Sequence, residues 1–242
     1  ESRRIDFVTE VDWHESHKLL KVAFPVDVRS PQATYEIQFG HLQRPTHYNT
    51  SWDMARFEVC AHKWADLSEA DYGVALLNDC KYGYDIHDNV MRLSLLRSPA
   101  APDPKADRGK HVFTYSLLPH QGDFRAGRVL EEAYELNVPL RCEALTPQKG
   151  SLPAQRSYFS TDRRGVVIEA VKWAESGDGI IVRLYEAFGS RGPLLLQTSL
   201  PVAQVFQTDM LENEEKELAV TPEGIRLALV PFEILTLKLR LR

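Results

Sequence analysis

Apolar and polar residues alternate along much of this chain with the period of two that is typical of β-strands. The C-terminal segment shows this most clearly, because leucines occupy every second position from Leu235 to Leu241 and Thr, Lys or Arg lie between them. The segment from Thr34 to Phe39 alternates in the same way. Successive side chains of a strand point to opposite faces, so each pattern predicts one buried face and one solvated face.

Many more segments have this character, and together they indicate an all-β fold of at least ten strands. The run from Val166 to Trp173 is apolar on nearly both faces, which favours a strand covered on both sides. Only Val129 to Leu136 has helical spacing. Packing of sheet on sheet is the natural way to bury so many one-sided strands. The remaining predicted strands are Ile5 to Val11, Lys18 to Phe24, Gly73 to Leu77, Val90 to Leu96, Val112 to Leu118, Ile180 to Tyr185, Leu194 to Leu200 and Ile225 to Val230.

Two proline-containing segments interrupt the strand pattern. Ser98 to Gly109 carries three prolines and predicts an extended surface loop. Thr146 to Gly165 predicts a linker between two β units. We therefore expect a first domain over 1–145, a linker over 146–165 and a second domain over 166–242. Asp178-Gly179 predicts a hairpin turn in the second domain.

Composition narrows the range of partners. The formal net charge of −5 gives no reason to expect a nucleic-acid partner. No run approaches the roughly 20 apolar residues that cross a bilayer, so we expect no membrane partner. The three widely spaced cysteines, Cys60, Cys80 and Cys142, indicate free thiols and a cytoplasmic location. The chain starts without Met, which is compatible with a fragment of a longer protein.

The usual catalytic and metal-binding motifs do not occur in this sequence. It has no G-x-S-x-G, no Walker or Rossmann phosphate loop, and no C-x-x-C pair. His14 and His17 lie three residues apart, but without further ligands at set spacing they are interpreted as solvated loop residues. We therefore expect no catalytic residue and no metal site within this chain.

The most unusual local chemistry follows the strand that ends near Leu77. An amide, a carboxylate, an ammonium group and two phenols lie within seven residues, and such groups hydrogen-bond to sugar hydroxyls while tyrosine rings stack on sugar faces. The alternative is a turn in which the first two polar side chains cap backbone groups and Gly83 adopts a positive φ. The residues leave these two interpretations evenly balanced. The predicted substrate-binding residues are Asn78, Asp79, Lys81, Tyr82 and Tyr84.

A second polar and aromatic segment runs from His41 to Asp53 without periodicity. Its length predicts a long loop, and long loops in compact domains tend to be functional lids or interfaces. Trp52 within it is either a ligand platform or an anchor that packs the loop against the domain, and packing is slightly favoured.

Several of these segments resemble the C-terminal region of α-mannosidases of glycoside hydrolase family 38, in particular the cytosolic and bacterial branch. The resemblance is strong over Ile5 to Leu140 and looser in the second domain. It implies part of a mutarotase-like β-supersandwich followed by a smaller C-terminal β-sandwich. The runs that carry it are IQFGHLQRPTHYNTSWD (Ile37 to Asp53), FEVCAHKWADLSE (Phe57 to Glu69), GVALLNDCKYGYD (Gly73 to Asp85), LLRSP (Leu95 to Pro99), HVFTYSLLPH (His111 to His120), GIIVRLYEA (Gly179 to Ala187) and PFEILTL (Pro231 to Leu237).

The resemblance also implies a function. Members of the family are retaining, zinc-dependent enzymes that hydrolyse terminal α-linked mannose from oligosaccharides, with the zinc and the nucleophile in an N-terminal α/β catalytic domain. On this basis the chain is inactive alone, supports that catalytic domain and supplies loops to the rim of the active site. Its partners are then a mannose-containing oligosaccharide and the catalytic domain of the same protein, with a homo-oligomer left open. The alternative is a self-contained carbohydrate-binding or structural β module.

Overall fold

The computed structural model describes residues 3–146 and 149–242, which form two compact units divided between Cys142 and Glu143. Nineteen strands and two short helices account for the regular structure of these residues, which confirms the prediction of an all-β fold. Neither described helix is long and apolar enough to cross a bilayer.

The first unit contains two antiparallel sheets that face each other. The six-stranded sheet has the order β1-β10-β7-β6-β3-β4 and the four-stranded sheet the order β2-β9-β8-β5. Helix α2 packs against β6 and β7. The elements are β1 (Ile5–Trp13), β2 (Leu20–Pro25), β3 (Gln32–Ile37), β4 (Gly40–Pro45), α1 (Ser51–Ala55), β5 (Val59–Cys60), β6 (Trp64–Ser68), β7 (Tyr72–Asn78), β8 (Gly83–His87), β9 (Val90–Leu96), β10 (Gly109–Gln121) and α2 (Val129–Asn137).

The core of the first unit lies between its two sheets. Tyr35 and Leu76 on the six-stranded sheet pack in one cluster with Tyr84 and Leu93 on the four-stranded sheet, and all four are buried. The rings of Tyr35 and Tyr84 meet edge to face with centroids 6.4 Å apart. Burial of each such side chain contributes about 1.5–3 kcal/mol, so this shared face is what holds the two sheets together.

The second unit repeats the sheet-on-sheet arrangement with a four-stranded sheet, β11-β14-β18-β17, and a five-stranded sheet, β12-β13-β19-β15-β16. Leucine, valine and isoleucine side chains from both sheets form its core. The elements are β11 (Phe159–Thr161), β12 (Val166–Trp173), β13 (Ile180–Glu186), β14 (Gly192–Thr198), β15 (Val202–Thr208), β16 (Glu214–Leu218), β17 (Val220–Thr221), β18 (Gly224–Leu229) and β19 (Ile234–Leu241).

The prediction of a long loop from His41 to Asp53 is wrong. Most of its first part is β4, which pairs with β3 through a turn at Gln38 and Phe39, where Phe39 adopts a φ of 56°. A one-turn helix, α1, follows, and Thr50 and Asp53 form its capping box. Trp52 is 75% exposed, so it does not anchor this segment against the domain.

The C-terminal strand β19 does not have the solvent-exposed face that its alternation of leucine with polar residues predicts. Thr236 is buried, and Lys238 is only 4% exposed, because β19 lies in the middle of its sheet between β13 and β15. The ammonium group of Lys238 is neutralised by Asp178 at 2.6 Å and Glu214 at 3.1 Å. A buried cation is acceptable only with such partners, which come from distant positions in the sequence.

The opposite error occurs at β12. Val166 to Trp173 was predicted to be covered on both faces, but β12 is the edge strand of its sheet and Trp173 is 70% exposed. The predicted hairpin at Asp178-Gly179 does connect β12 to β13, and α2 confirms the predicted helix. Strand β11 lies inside the predicted linker over 146–165, and Pro147 and Gln148 of that linker lie outside the described residues.

A buried polar cluster in the six-stranded sheet depends on one glycine. His120 Nε2 on β10 lies 2.7 Å from Asp66 Oδ1 on β6, and Ser68 Oγ donates to the other Asp66 oxygen at 2.5 Å. Burial raises the pKa of the Asp66 carboxyl, against the opposing effect of its bonds to His120 and Ser68. Gly73 on β7 lies between the two strands, and a Cβ there would approach Ser68 Oγ to 2.3 Å and His120 Cε1 to 2.5 Å.

We therefore expect Gly73→Ala to destabilise the first unit by about 1–3 kcal/mol, because the added methyl group has no space in this packed cluster. The measurement is the urea midpoint of the full-length protein, followed by tryptophan fluorescence. Gly150→Ala is the matched control, since a Cβ at Gly150 would meet no atom within 4 Å. A midpoint for Gly73→Ala equal to that of the control would contradict the account.

Candidate functional site

The predicted saccharide-binding residues lie where the chain passes from one sheet of the first unit to the other. Strand β7 of the six-stranded sheet ends at Asn78, and β8 of the four-stranded sheet begins at Gly83. Residues 79–82 therefore cross between the sheets in four positions. This short crossing brings side chains from both sheets and from the end of α2 close to one another.

Asn78 is buried and fastens the crossing. Its Nδ2 donates to the Tyr84 hydroxyl at 2.6 Å and to the carbonyl of His62 at 3.0 Å, and its Oδ1 accepts from the backbone N–H groups of Cys80 and Lys81. Asn137 at the end of α2 donates its side-chain amide to the Asn78 carbonyl at 2.9 Å. The Asn78 side chain thus caps backbone groups as the turn interpretation predicted, although Gly83 does not adopt the positive φ that this interpretation expected. A ligand in solvent cannot reach the Asn78 side chain.

Tyr84 is also inside the domain, with 0% of its surface exposed. Its hydroxyl donates to the carbonyl of His62 at 3.2 Å and accepts from Asn78. Burial is the main cause that raises the pKa of the Tyr84 phenol above its ordinary value of 10.0. The prediction that Asn78 and Tyr84 contact a substrate directly is therefore corrected, because both side chains are used to hold the loop.

The side chains of Asp79, Lys81 and Tyr82 are open to solvent to different degrees. Asp79 continues the pairing toward β10, since its N–H donates to the Thr114 carbonyl at 3.1 Å and its Oδ2 accepts from the Thr114 N–H at 2.9 Å. Lys81 Nζ lies 4.2 Å from the centroid of the Phe113 ring. These contacts fix both side chains at the mouth of the crossing, so the substrate role of the loop stays a prediction for these residues.

Tyr82 is the aromatic group that this loop presents to solvent. Its ring is 56% exposed, and its one described ring contact is an edge-on approach to His62 with centroids 5.3 Å apart. An open depression of about 130 Å³ lies beside it. Sequence reasoning missed three residues that line this depression, His62, Lys63 and Asn137, because no motif links them to the loop.

The side chains of this loop are suited to binding a ligand. Asp79 accepts hydrogen bonds, Lys81 donates them, and Tyr82 offers a ring face, which is a set suited to a polyhydroxylated ligand. The neighbouring Cys80 is a poor nucleophile at neutral pH, because partial desolvation and the Asp79 carboxylate raise the pKa of its thiol to about 11. Within the described ranges, no three His, Cys, Asp or Glu side chains are grouped so that they could hold a metal ion.

The buried phenol predicts a dependence of stability on alkaline pH. A raised pKa in the folded state means that the contribution of Tyr84 is fully present below the unfolded value near 10 and is lost as the pH rises above it. The urea midpoint of the full-length protein should therefore fall above pH of about 10, and it should fall less in Tyr84→Phe. At pH 8 this variant should lose about 1–3 kcal/mol, because the hydroxyl's hydrogen bonds to Asn78 and to the His62 carbonyl are both removed.

Tyr82→Phe is the control for this prediction, since it removes the same hydroxyl group from an exposed tyrosine outside the core. This variant should keep the alkaline profile of the unmodified protein. An alkaline fall of equal size in Tyr84→Phe and in the unmodified protein would show that the Tyr84 phenol does not cause it.

Comparison with known proteins connects this architecture to one family. The sequence model described as "Glycosyl hydrolases family 38 C-terminal domain" matches residues 1–105. A second, described as "Glycosyl hydrolases family 38 C-terminal beta sandwich domain", matches residues 165–237. The first match contains the crossing from β7 to β8, and the second covers most of the smaller sandwich.

Curated relatives extend the similarity over almost the whole chain. Alpha-mannosidase 2C1 of Homo sapiens is 52% identical over 98% of this chain and 23% of its own length. Alpha-mannosidase G of Dictyostelium discoideum is 43% identical over 98% of this chain and 22% of its own length. The chain therefore spans about a quarter of the length of the curated relatives it matches.

A solved structure, an alpha-mannosidase from Enterococcus faecalis, superposes with a TM-score of 0.82 at 19% identity. The match covers 100% of this chain and 28% of that one. At this identity the similarity concerns the fold alone.

Proposed function

Since the chain belongs to glycosyl hydrolase family 38, we propose that it is the C-terminal β region of a retaining, zinc-dependent α-mannosidase that removes terminal α-linked mannose from oligosaccharides. The observation that carries this proposal is the 52% identity to alpha-mannosidase 2C1 of Homo sapiens over 98% of the chain. Because that relative is about four times as long, the proposed activity is that of a longer protein of which this chain is one part.

The catalytic groups are assigned to an N-terminal catalytic domain outside this chain. The described residues do not suit the zinc that the family implies, because they contain no group of three or more potential ligands. No step of the reaction is therefore assigned to these residues. The chain by itself should not hydrolyse a mannoside, and its proposed roles are to support the catalytic domain and to supply side chains to the rim of the active site.

The rim role is proposed for Asp79, Lys81 and Tyr82. The short crossing holds them through the buried Asn78 and through the pairing with Thr114, so they lose little freedom when a ligand binds. A carboxylate and an ammonium group can bond adjacent hydroxyls of mannose, and the exposed ring of Tyr82 can stack on the apolar side of the sugar.

The alternative, a self-contained carbohydrate-binding or structural module, is disfavoured by the relatives, which continue well beyond the matched segment. We propose a cytoplasmic location for the longer protein. Cys60, Cys80 and Cys142 are free and exposed, which suits a reducing compartment, where thiols persist without forming disulfides.

The test uses the full-length protein with a nitrophenyl α-mannoside and with α-linked mannobiose. Tyr82→Ala should raise KM for mannobiose about 2- to 12-fold, the range that corresponds to loss of one aromatic stacking contact. Asp79→Asn should raise KM in the same direction. Tyr158→Ala is the control, since Tyr158 is an exposed aromatic residue of the second unit.

Unchanged kinetics in both Tyr82→Ala and Asp79→Asn would remove the rim role and leave the family membership intact. Absence of mannoside hydrolysis by the full-length protein, with zinc supplied, would overturn the proposed activity itself.

A further inference from the structure

A second cavity of the first unit lies apart from the crossing between β7 and β8. It has a volume of about 500 Å³ and lies where the β2–β3 connection, the segment after β4 and the β8–β9 turn come together. This volume is within the range of about 300–1,000 Å³ that is usual for small-molecule sites. We propose that this cavity is a binding site for a neutral mono- or disaccharide.

The walls of the cavity are fixed by hydrogen bonds between backbone groups. The N–H of Asp88 donates to the Thr46 carbonyl at 2.7 Å, and the N–H of Thr46 donates to the Pro31 carbonyl at 3.1 Å. The N–H of Val26 donates to the Asn89 carbonyl at 3.0 Å, and the side-chain amide of Asn89 donates to the Val26 carbonyl at 2.8 Å. All three connections are therefore tied to one another, and the site is formed before a ligand binds.

Several polar side chains of the lining are left available. Asp27 and Arg29 make no side-chain hydrogen bond or ion pair with any residue that the structure describes, although both border the cavity. Asp88 carries its carboxylate on a left-handed backbone position with a φ of 50°, and this carboxylate is largely exposed, with His87 Nδ1 at 3.5 Å from its Oδ2. Nδ1 of His47 is shielded from solvent and has no hydrogen-bond partner among the described residues, with Asp53 Oδ2 at 3.8 Å.

The mixture of charges selects the class of ligand. The lining carries two carboxylates and one guanidinium, which disfavours an anion, and Asp27, His47 and Asp88 are not grouped so that they could hold a metal ion. A neutral ligand with many hydroxyls can satisfy both kinds of group, because each hydroxyl donates to a carboxylate and accepts from Arg29 or His47. Val28 and Pro31 supply an apolar wall for the C–H side of a sugar ring.

The chemistry of the lining residues supports a neutral saccharide but does not specify which sugar it contains. The expectation that this saccharide contains mannose rests on the proposed function, so the experiment must separate the two. Photoaffinity labelling does so, because it reports where a sugar binds and does not require turnover.

The full-length protein is irradiated with a methyl α-mannoside that carries a diazirine, and in parallel with the corresponding glucoside. Labelled peptides are identified by mass spectrometry, and free methyl α-mannoside is added to measure the saturable part. The expected result is saturable labelling within residues 26–31, 46–48 or 88–89. Hydrolysis of a nitrophenyl α-mannoside by the same preparation is measured separately.

Two variants test the assigned side chains. Asp88→Asn removes the carboxylate and keeps a residue that tolerates positive φ, and Asp27→Asn is its counterpart on the β2–β3 connection. Each should lower the saturable labelling about threefold or more, because a charge-assisted hydrogen bond is lost. Glu10→Gln on β1 is the matched control, since it neutralises an exposed carboxylate at the edge of the six-stranded sheet opposite to β4 and should leave labelling unchanged. Equal circular dichroism spectra verify the fold of each variant.

Absence of saturable label in the three segments with both probes overturns the proposed cavity site, and so does label that is undiminished in both aspartate variants. Labelling by the glucoside alone retains a saccharide site and removes the mannose expectation. Hydrolysis without cavity labelling leaves the proposed function standing, whereas cavity labelling without hydrolysis removes that function and leaves the site.

Discussion

The hydrogen bond between Asn78 and Tyr84 is the interaction on which the crossing between the two sheets of the first unit depends. The chain changes sheets between these two residues, and a change of sheet leaves backbone groups without ladder partners inside the domain. Asn78 satisfies two of those N–H groups, and its amide meets the Tyr84 hydroxyl and the His62 carbonyl. The two sheets can therefore share one apolar core, and the four residues between them are held in a fixed shape at its edge.

Sequence patterns could predict the strands whose alternation is regular, and they predicted the all-β fold. They could not separate Asn78 and Tyr84, which are buried, from Tyr82, which is exposed. Tyr82 and Tyr84 are two residues apart and would share a face in one continuous strand, so their different exposure follows from the start of β8 at Gly83, which leaves Tyr82 in the crossing. The sequence offers one polar cluster, and only the pairing shows which side chains hold the loop and which face a ligand.

Position within a sheet explains the other differences. Lys238 occupies a polar position of an alternating pattern and Trp173 lies in a run that is apolar on nearly both faces, yet Lys238 is buried in a central strand and Trp173 is exposed on an edge strand. Strand order is set by contacts between distant segments, so local propensity cannot supply it. The cavity beside Asp27 and Asp88 has the same origin, because three connections that are separate in sequence are brought together by the order of β2, β4, β8 and β9.

The open edge formed by β12 has a practical consequence for anyone who produces the second unit in isolation. An edge strand with unpaired backbone groups and exposed apolar side chains such as Val171 and Trp173 can recruit a strand from another molecule. Lys172 offers only partial protection, because its ammonium group is already engaged by Glu175 at 2.5 Å and Glu212 at 2.7 Å. Truncated preparations should therefore be prone to concentration-dependent precipitation, and a lysine or proline on β12 is the natural remedy.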